Sequence, residues 1–150
     1  MSGAAVSRLR ERWDQAGIAN PEPATEQALI EFEQRCGVRL GPVIREYFSV
    51  LNGTKNGHNS MEDEATTSFW HLDQIGTGER RDAATLFVFA DYIISCWVWS
   101  VQLSDDRNDP NPVFISTKGG WTKVADSFEE FLNAYADKNP EVLFPPTAPP

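Results

Sequence analysis

Apolar positions along the chain repeat with two different periods, and the change between them divides it. The first third repeats as a helix does. Val6, Leu9 and Trp13 fall three and four residues apart, which predicts an amphipathic helix over 6–16. Asn20-Pro21-Glu22-Pro23 interrupts it, because proline has no N–H to continue a helical ladder. Thr25 stands where a side chain caps a second helix, with Glu26 near its positive end. Leu29, Phe32 and Cys36 form that helix's stripe, and Gly37 stops it. The third run, LGPVIREYFSVLNG over 40–53, is bounded at both ends. Pro42 suits a first helical turn, where its missing N–H would have no partner. Ile44, Tyr47, Phe48 and Leu51 share one face, and Asn52-Gly53 supplies a left-handed stop.

Residues 54–67 are polar and rich in Gly and Asn, and read as a long loop. From Ser68 the pattern changes to strands. SFWHLDQI (68–75), LFVFADY (86–92) and IISCWVWSVQLS (93–104) are rich in β-branched and aromatic residues. In the last of these Ile93, Trp97, Trp99, Val101 and Leu103 share one face, and Ile94, Cys96 and Val98 the other. Apolar side chains on both faces predict a central strand. SDDRNDPNP (104–112) is a turn-rich connection. PVFIS (112–116) and GWTKVA (120–125) are two further strands, joined by a turn at Lys118-Gly119-Gly120. The helical period then returns. Ser127 and Glu130 have capping-box spacing, Phe128, Phe131, Leu132 and Tyr135 form the stripe, and Asn139-Pro140 ends it. The tail over 139–150 is proline-rich and reads as extended or disordered. No internal repeat is present. Helices, then strands, then a helix, without alternation, predict an α+β fold. Its mainly antiparallel central sheet is packed by N-terminal helices and a C-terminal helix.

Length and composition narrow the picture further. The 150 residues fit a single domain over 1–150, with its core over about 25–138. A chain of this size buries roughly 70% of its unfolded surface and needs no metal or disulfide staple. Nine Phe, five Trp and three Tyr argue against disorder of the whole chain. The formal charge of −9 argues against nucleic acid or an anionic membrane as a direct partner, and favours a basic protein. Cys36 and Cys96 are far apart in apolar surroundings, and read as buried small hydrophobes rather than a redox pair. No stretch approaches the ~18 apolar residues of a membrane span. The N-terminus lacks the apolar core of a signal peptide. A cytoplasmic location is expected.

Four segments in this order resemble the SUKH superfamily, which includes yeast cell-wall-assembly regulators and many bacterial immunity proteins. The first is EFEQRCGVRLGPVIREYFSVLNG over 31–53: an acidic helix ending in Gly, then Leu and Pro, an aromatic helix and Asn-Gly. Gly41 stands where the family usually has Pro, and Pro42 follows it. FWHLDQI (69–75), LFVFADY (86–92) and SFEEFL (127–132) are similar to the family's second, third and fourth elements. The resemblance covers roughly 25–138. It implies an α+β fold with a central sheet packed by helices and no catalytic centre. Bacterial members commonly bind and neutralise toxins, often nucleases, and others act as interaction scaffolds.

The residues themselves support no enzyme motif. His58 lies in the polar loop, and His71 lies between Trp70 and Leu72 on the expected short strand. Neither has zinc-ligand spacing, and a Cys96–His71 pair has no support in the sequence. Nucleophile-elbow, phosphate-loop and dinucleotide signatures are missing. No cofactor and no metal are expected. Two acidic groups are candidates for a negative surface facing a basic toxin: Glu62, Asp63 and Glu64 in the long loop, and Asp105, Asp106 and Asp109 after the long strand. The second group lacks the spacing of a calcium loop, and solvated loop charge is the ordinary reading of both. Trp97 and Trp99 are the aromatic candidates, either as core or as interface anchors. If helices cover only one face of the sheet, aromatics on the other face point to a binding surface. The expectation is a non-catalytic immunity protein that neutralises a cognate toxin by binding, with a SUKH-like regulatory scaffold as the alternative.

Overall fold

A computed structural model describes residues 3–54, 67–75, 80–81, 86–92, 97–117 and 120–137. Three helices come first: α1 (Gly3–Ala16), α2 (Glu26–Cys36) and α3 (Pro42–Val50). Six strands follow, β1 (Thr67–Phe69), β2 (Arg80–Arg81), β3 (Leu86–Tyr92), β4 (Trp97–Gln102), β5 (Val113–Thr117) and β6 (Gly120–Ala125), and then α4 (Phe128–Ala136). The fold is α+β, with N-terminal helices and a C-terminal helix packed on an antiparallel sheet.

The helix ends follow from local chemistry. Thr25 Oγ1 accepts the Ala28 N–H at 3.0 Å, and Gly37 closes α2 in the left-handed region, its N–H on Glu33 O. Pro42 occupies the first turn of α3. At the other end the Leu51 and Asn52 N–H groups both return to Tyr47 O, and Asn52 (φ 56°) and Gly53 (φ 94°) turn the chain away. Ser127 Oγ accepts the Glu130 N–H while Glu130 Oε1 accepts the Asp126 N–H, a reciprocal cap on α4. Glu33 explains why an acidic helix should precede α3. Its Oε2 accepts the Leu40 N–H at 2.8 Å and faces Arg45 Nη1 at 3.1 Å, which brackets α2 to α3.

The strand order is β1-β3-β4-β5-β6, with β2 pairing the first residues of β3 while β1 pairs its last three. β4 is therefore central, as expected; of the apolar residues read on its second face Val98 lies on β4, while Ile94 and Cys96 lie outside the described residues. One face carries Phe69, Phe87, Phe89, Trp99, Val101, Val113 and Ile115, all buried. Onto it pack Trp13 of α1, Phe32 of α2, Tyr47 of α3 and Phe128, Phe131 and Tyr135 of α4, mostly edge-to-face. Such ring pairs add about 0.5–1.5 kcal/mol each beyond their burial. α1 is also tied to α4 directly: Arg8 reaches Asn133 and Asp137, and Arg12 donates to Tyr135 O.

The structure departs from the sequence pattern in four places. α1 begins at Gly3 rather than near Val6. Residues 68–75 are not one strand: β1 stops at Phe69, and Leu72–Gln74 is a single 3-10 turn. Leu72 and Ile75 are both buried, and a strand would send residues three apart to opposite faces. The turn puts both inward, and His71 precedes it rather than lying on a strand. β2 and the isolated bridge between Arg39 and Ser104 have no periodic signal at all. Cys36 is half-buried at the core's margin, not inside it. His58, Cys96, the Lys118-Gly119 part of the hairpin turn and the 139–150 tail lie outside the described residues.

Candidate functional site

Three surfaces are candidates, and the first is the acidic turn after β4. Asp105 and Asp106 are exposed at its tip beside exposed Arg107. Asp109 does a different job. Its Oδ2 accepts the Ser104 hydroxyl at 2.7 Å and its Oδ1 accepts the Asn111 N–H at 2.7 Å. Asn111, in the left-handed region at φ 63°, reaches back to Gln102 O. The turn is pinned outside itself as well. Ser104 O accepts from Arg39 N–H, Pro110 O accepts from Phe128 N–H, and the turn closes against Gly41. A Cβ at Gly41 would lie 2.8 Å from Asp109 O and closer still to the Asn111 side chain. The result is a braced knuckle holding two exposed carboxylates, of which Asp106 also accepts the Asn108 N–H on Oδ1 at 2.9 Å. Glu62, Asp63 and Glu64, the other acidic candidates, lie outside the described residues.

The second surface is the sheet face away from the helices. Trp97 and Trp99 do not belong to it. Trp99 is 0% exposed, edge-to-face with Phe131 at 5.7 Å, and Trp97 packs half-buried against the same core. The idea that Trp99 anchors a partner is therefore corrected: alternation on β4 turns it to the helix side. Pairing places Val98, Ser100 and Gln102 on the opposite face, with Phe114 across from Ser100 and Trp121 across from Ser116. Phe114 and Trp121 are partly exposed on this face, while Val88 and Ser100 on it are buried. Trp70 lies at its β1 edge, with Nε1–H donated to Asp91 Oδ2 at 2.8 Å.

The third surface is a cavity of about 400 Å³ that the sequence pattern did not single out. One wall is the segment 21–25, the floor is α2 with Ala28 and Phe32, and the far wall is Asn52 with His71, Leu72 and Asp73. Asn52 holds the walls together. Its Nδ2 donates to Glu22 O at 2.8 Å and its Oδ1 accepts the Leu72 N–H at 2.8 Å. Asn20 Nδ2 bonds Gly53 O, Ala24 N–H bonds Phe48 O, and Thr54 exchanges two bonds with Phe69. Gly53 permits this convergence, because a Cβ there would meet Phe69 O at 2.6 Å. The sequence marked Pro21 and Pro23 only as helix breakers and Asn52 only as a stop. A clue was available in the closeness of two turn-rich segments to one amphipathic helix, but it does not reveal that they meet.

Among the described residues no group of three or more His, Cys, Asp or Glu side chains is placed to hold a metal ion. His71 Nδ1 pairs with Asp73 at the cavity's edge, with no nucleophile shown beside it. No described helix is long and apolar enough to cross a membrane. No curated protein matches the chain significantly. A family model does match, over residues 23–134, which takes in the Glu33 bracket, the Asn52-Gly53 junction, the whole sheet and most of α4. On that match the chain belongs to the SMI1/KNR4 family (SUKH-1).

Proposed function

We propose that this protein is an immunity protein that neutralises a bacterial toxin by stoichiometric binding, without catalysis of its own. Membership of the SMI1/KNR4 family (SUKH-1) supports a toxin-immunity or SMI1/KNR4-like protein-binding role. The observation that carries the finer reading is the acidic knuckle. Asp105 and Asp106 stand exposed at the tip of a turn braced through Ser104, Asp109 and Asn111, and Asp106 Oδ1 also accepts the Asn108 N–H at 2.9 Å. Binding groups held on a rigid support lose little entropy on association. Carboxylates on a chain of charge −9 draw in a basic surface such as that of a nuclease. Glu62, Asp63 and Glu64 would extend the same field, and the partly exposed Phe114 and Trp121 offer apolar contact on the sheet face away from the helices. The reading places the protein in the cytoplasm as one domain, with no cofactor.

Co-expression with the toxin domain encoded beside it tests the proposal. Growth is rescued and a one-to-one complex elutes from a sizing column. The double variant Asp105→Lys/Asp106→Lys slows association, by about tenfold at low salt, with a smaller loss at high salt. No rescue and no complex would overturn the proposal. The alternative is a regulatory scaffold of the SMI1/KNR4 kind. A housekeeping partner whose binding ignores salt would favour it.

A further inference from the structure

The cavity between α2 and the Asn52 junction has the makings of a peptide groove. Its floor is small and apolar: Ala24, Ala28 and Phe32, with Leu72 opposite. Three exposed carboxylates border it, Glu22, Glu31 and Asp73. The cation at the border is Arg35, and it is engaged: its Nη2 donates to Ile75 O at 3.2 Å and its guanidinium lies over the Phe32 ring. Its charge remains, so three carboxylates against one guanidinium leave the border net negative. The 21–24 wall has few backbone groups to offer a strand partner. Pro21 and Pro23 have no N–H, the Ala24 N–H is held by Phe48 O, and Glu22 O is held by Asn52. This wall is a poor edge for strand addition, which favours recognition through side chains.

We infer that this groove takes an extended segment of a partner protein in which one large apolar side chain is flanked by Lys or Arg. The apolar side chain enters between Ala24 and Ala28 onto Phe32. The flanking cations reach Glu22 and Glu31 on one side and, on the other, Asp73, whose Oδ1 is already paired with His71 Nδ1. An anionic ligand is repelled by the same three groups. A second copy of this chain, itself at −9, is a poor occupant for the same reason. The volume is at the lower end of the range for ligand sites, room for one anchor residue rather than a whole helix. The groove is already shaped, since Asn52 fixes its walls through two hydrogen bonds. This inference rests on the reading of the chain as a protein-binding module.

Selection of displayed random linear peptides against the folded chain tests it without the toxin. Enriched peptides carry Lys or Arg on both sides of Leu, Ile, Met or Phe. Synthetic copies shift the amide resonances of Ala24, Ala28, Phe32, Asn52 and Leu72. Glu31→Lys weakens them about tenfold, and Ala28→Trp, which fills the groove, abolishes binding while the unfolding temperature of both variants stays near that of the parent. Failure to enrich, winners without cations, binding untouched by Ala28→Trp, or shifts confined to the 104–112 turn would each overturn the inference. The two proposals fail separately. Full toxin neutralisation by the Ala28→Trp variant would remove the groove from the interaction and leave the immunity reading standing. Peptide binding with no toxin rescue would do the reverse.

Discussion

Replacing Asn52 by alanine strikes the junction at its centre. The residue is 8% exposed and bridges Glu22 O and the Leu72 N–H, each at 2.8 Å. Asn52→Ala strands the N–H of a buried leucine, at about 1–3 kcal/mol. It also forces alanine to φ 56°, at about 1 kcal/mol more than asparagine, whose side chain tolerates that region. The total is about 3 kcal/mol. For a chain of this length that lowers the unfolding midpoint by roughly 10 °C. Asn52→Gly separates the two contributions: it removes the backbone penalty and leaves about 2 kcal/mol. Urea unfolding followed by tryptophan emission gives both numbers from the midpoint and its slope. A loss below about 1 kcal/mol in both variants would refute the idea that Asn52 clamps the walls. Equal losses would refute the backbone part. Both variants also weaken the peptide probes more than their stability loss explains, because they loosen the groove.

Gly53→Ala drives a Cβ to 2.6 Å from Phe69 O at φ 94°, and costs at least about 2 kcal/mol by the same assay. Gly41→Ala presses on Asp109 O and Asn111, and lowers stability by about 1–3 kcal/mol while raising amide exchange across 104–112. Phe131→Ala empties the space between Phe89, Trp99 and Tyr135 and costs about 3–5 kcal/mol; a midpoint shift of only a degree or two would contradict its place in the core. Asp105→Lys changes stability by less than about 0.5 kcal/mol, whereas Asp106→Lys costs about 1 kcal/mol because it loses the bond from the Asn108 N–H; the reverse order would contradict these roles.

Periodicity disclosed most of the architecture because most elements bury a single face. α2, α3 and α4 begin and end where Thr25, Gly37, Pro42, Asn52-Gly53 and Ser127 place them. The central position of β4 was legible from apolar residues on both sides. The pattern failed where long-range bonds decide. Residues 72–75 are turned by Asn52, twenty residues upstream, and β2 is too short to carry a period. The site was harder to read. Asp105 and Asp109 look alike in a string of turn residues, yet one is free and the other is a brace. Trp97 and Trp99 could not be assigned to a face before the helices' side was known. The groove joins 21–25, α2, Asn52 and 71–73, and no local signal connects them.

The bonds from Arg8 and Arg12 to α4 tie the earliest helix to the last one described. Residues 3–16 are synthesised before the other described residues and cannot bury Ala5, Leu9 and Trp13 until Phe69 and Tyr135 have been made. Closure of that long loop places assembly of the core after synthesis of α4, with an apolar helix exposed in the meantime. The family match starts at residue 23, so this partner of α4 falls outside it. A chain begun at residue 23 would keep every matched motif and lose the lid of its own core. The cooperative folding unit is larger than the segment by which the family is known.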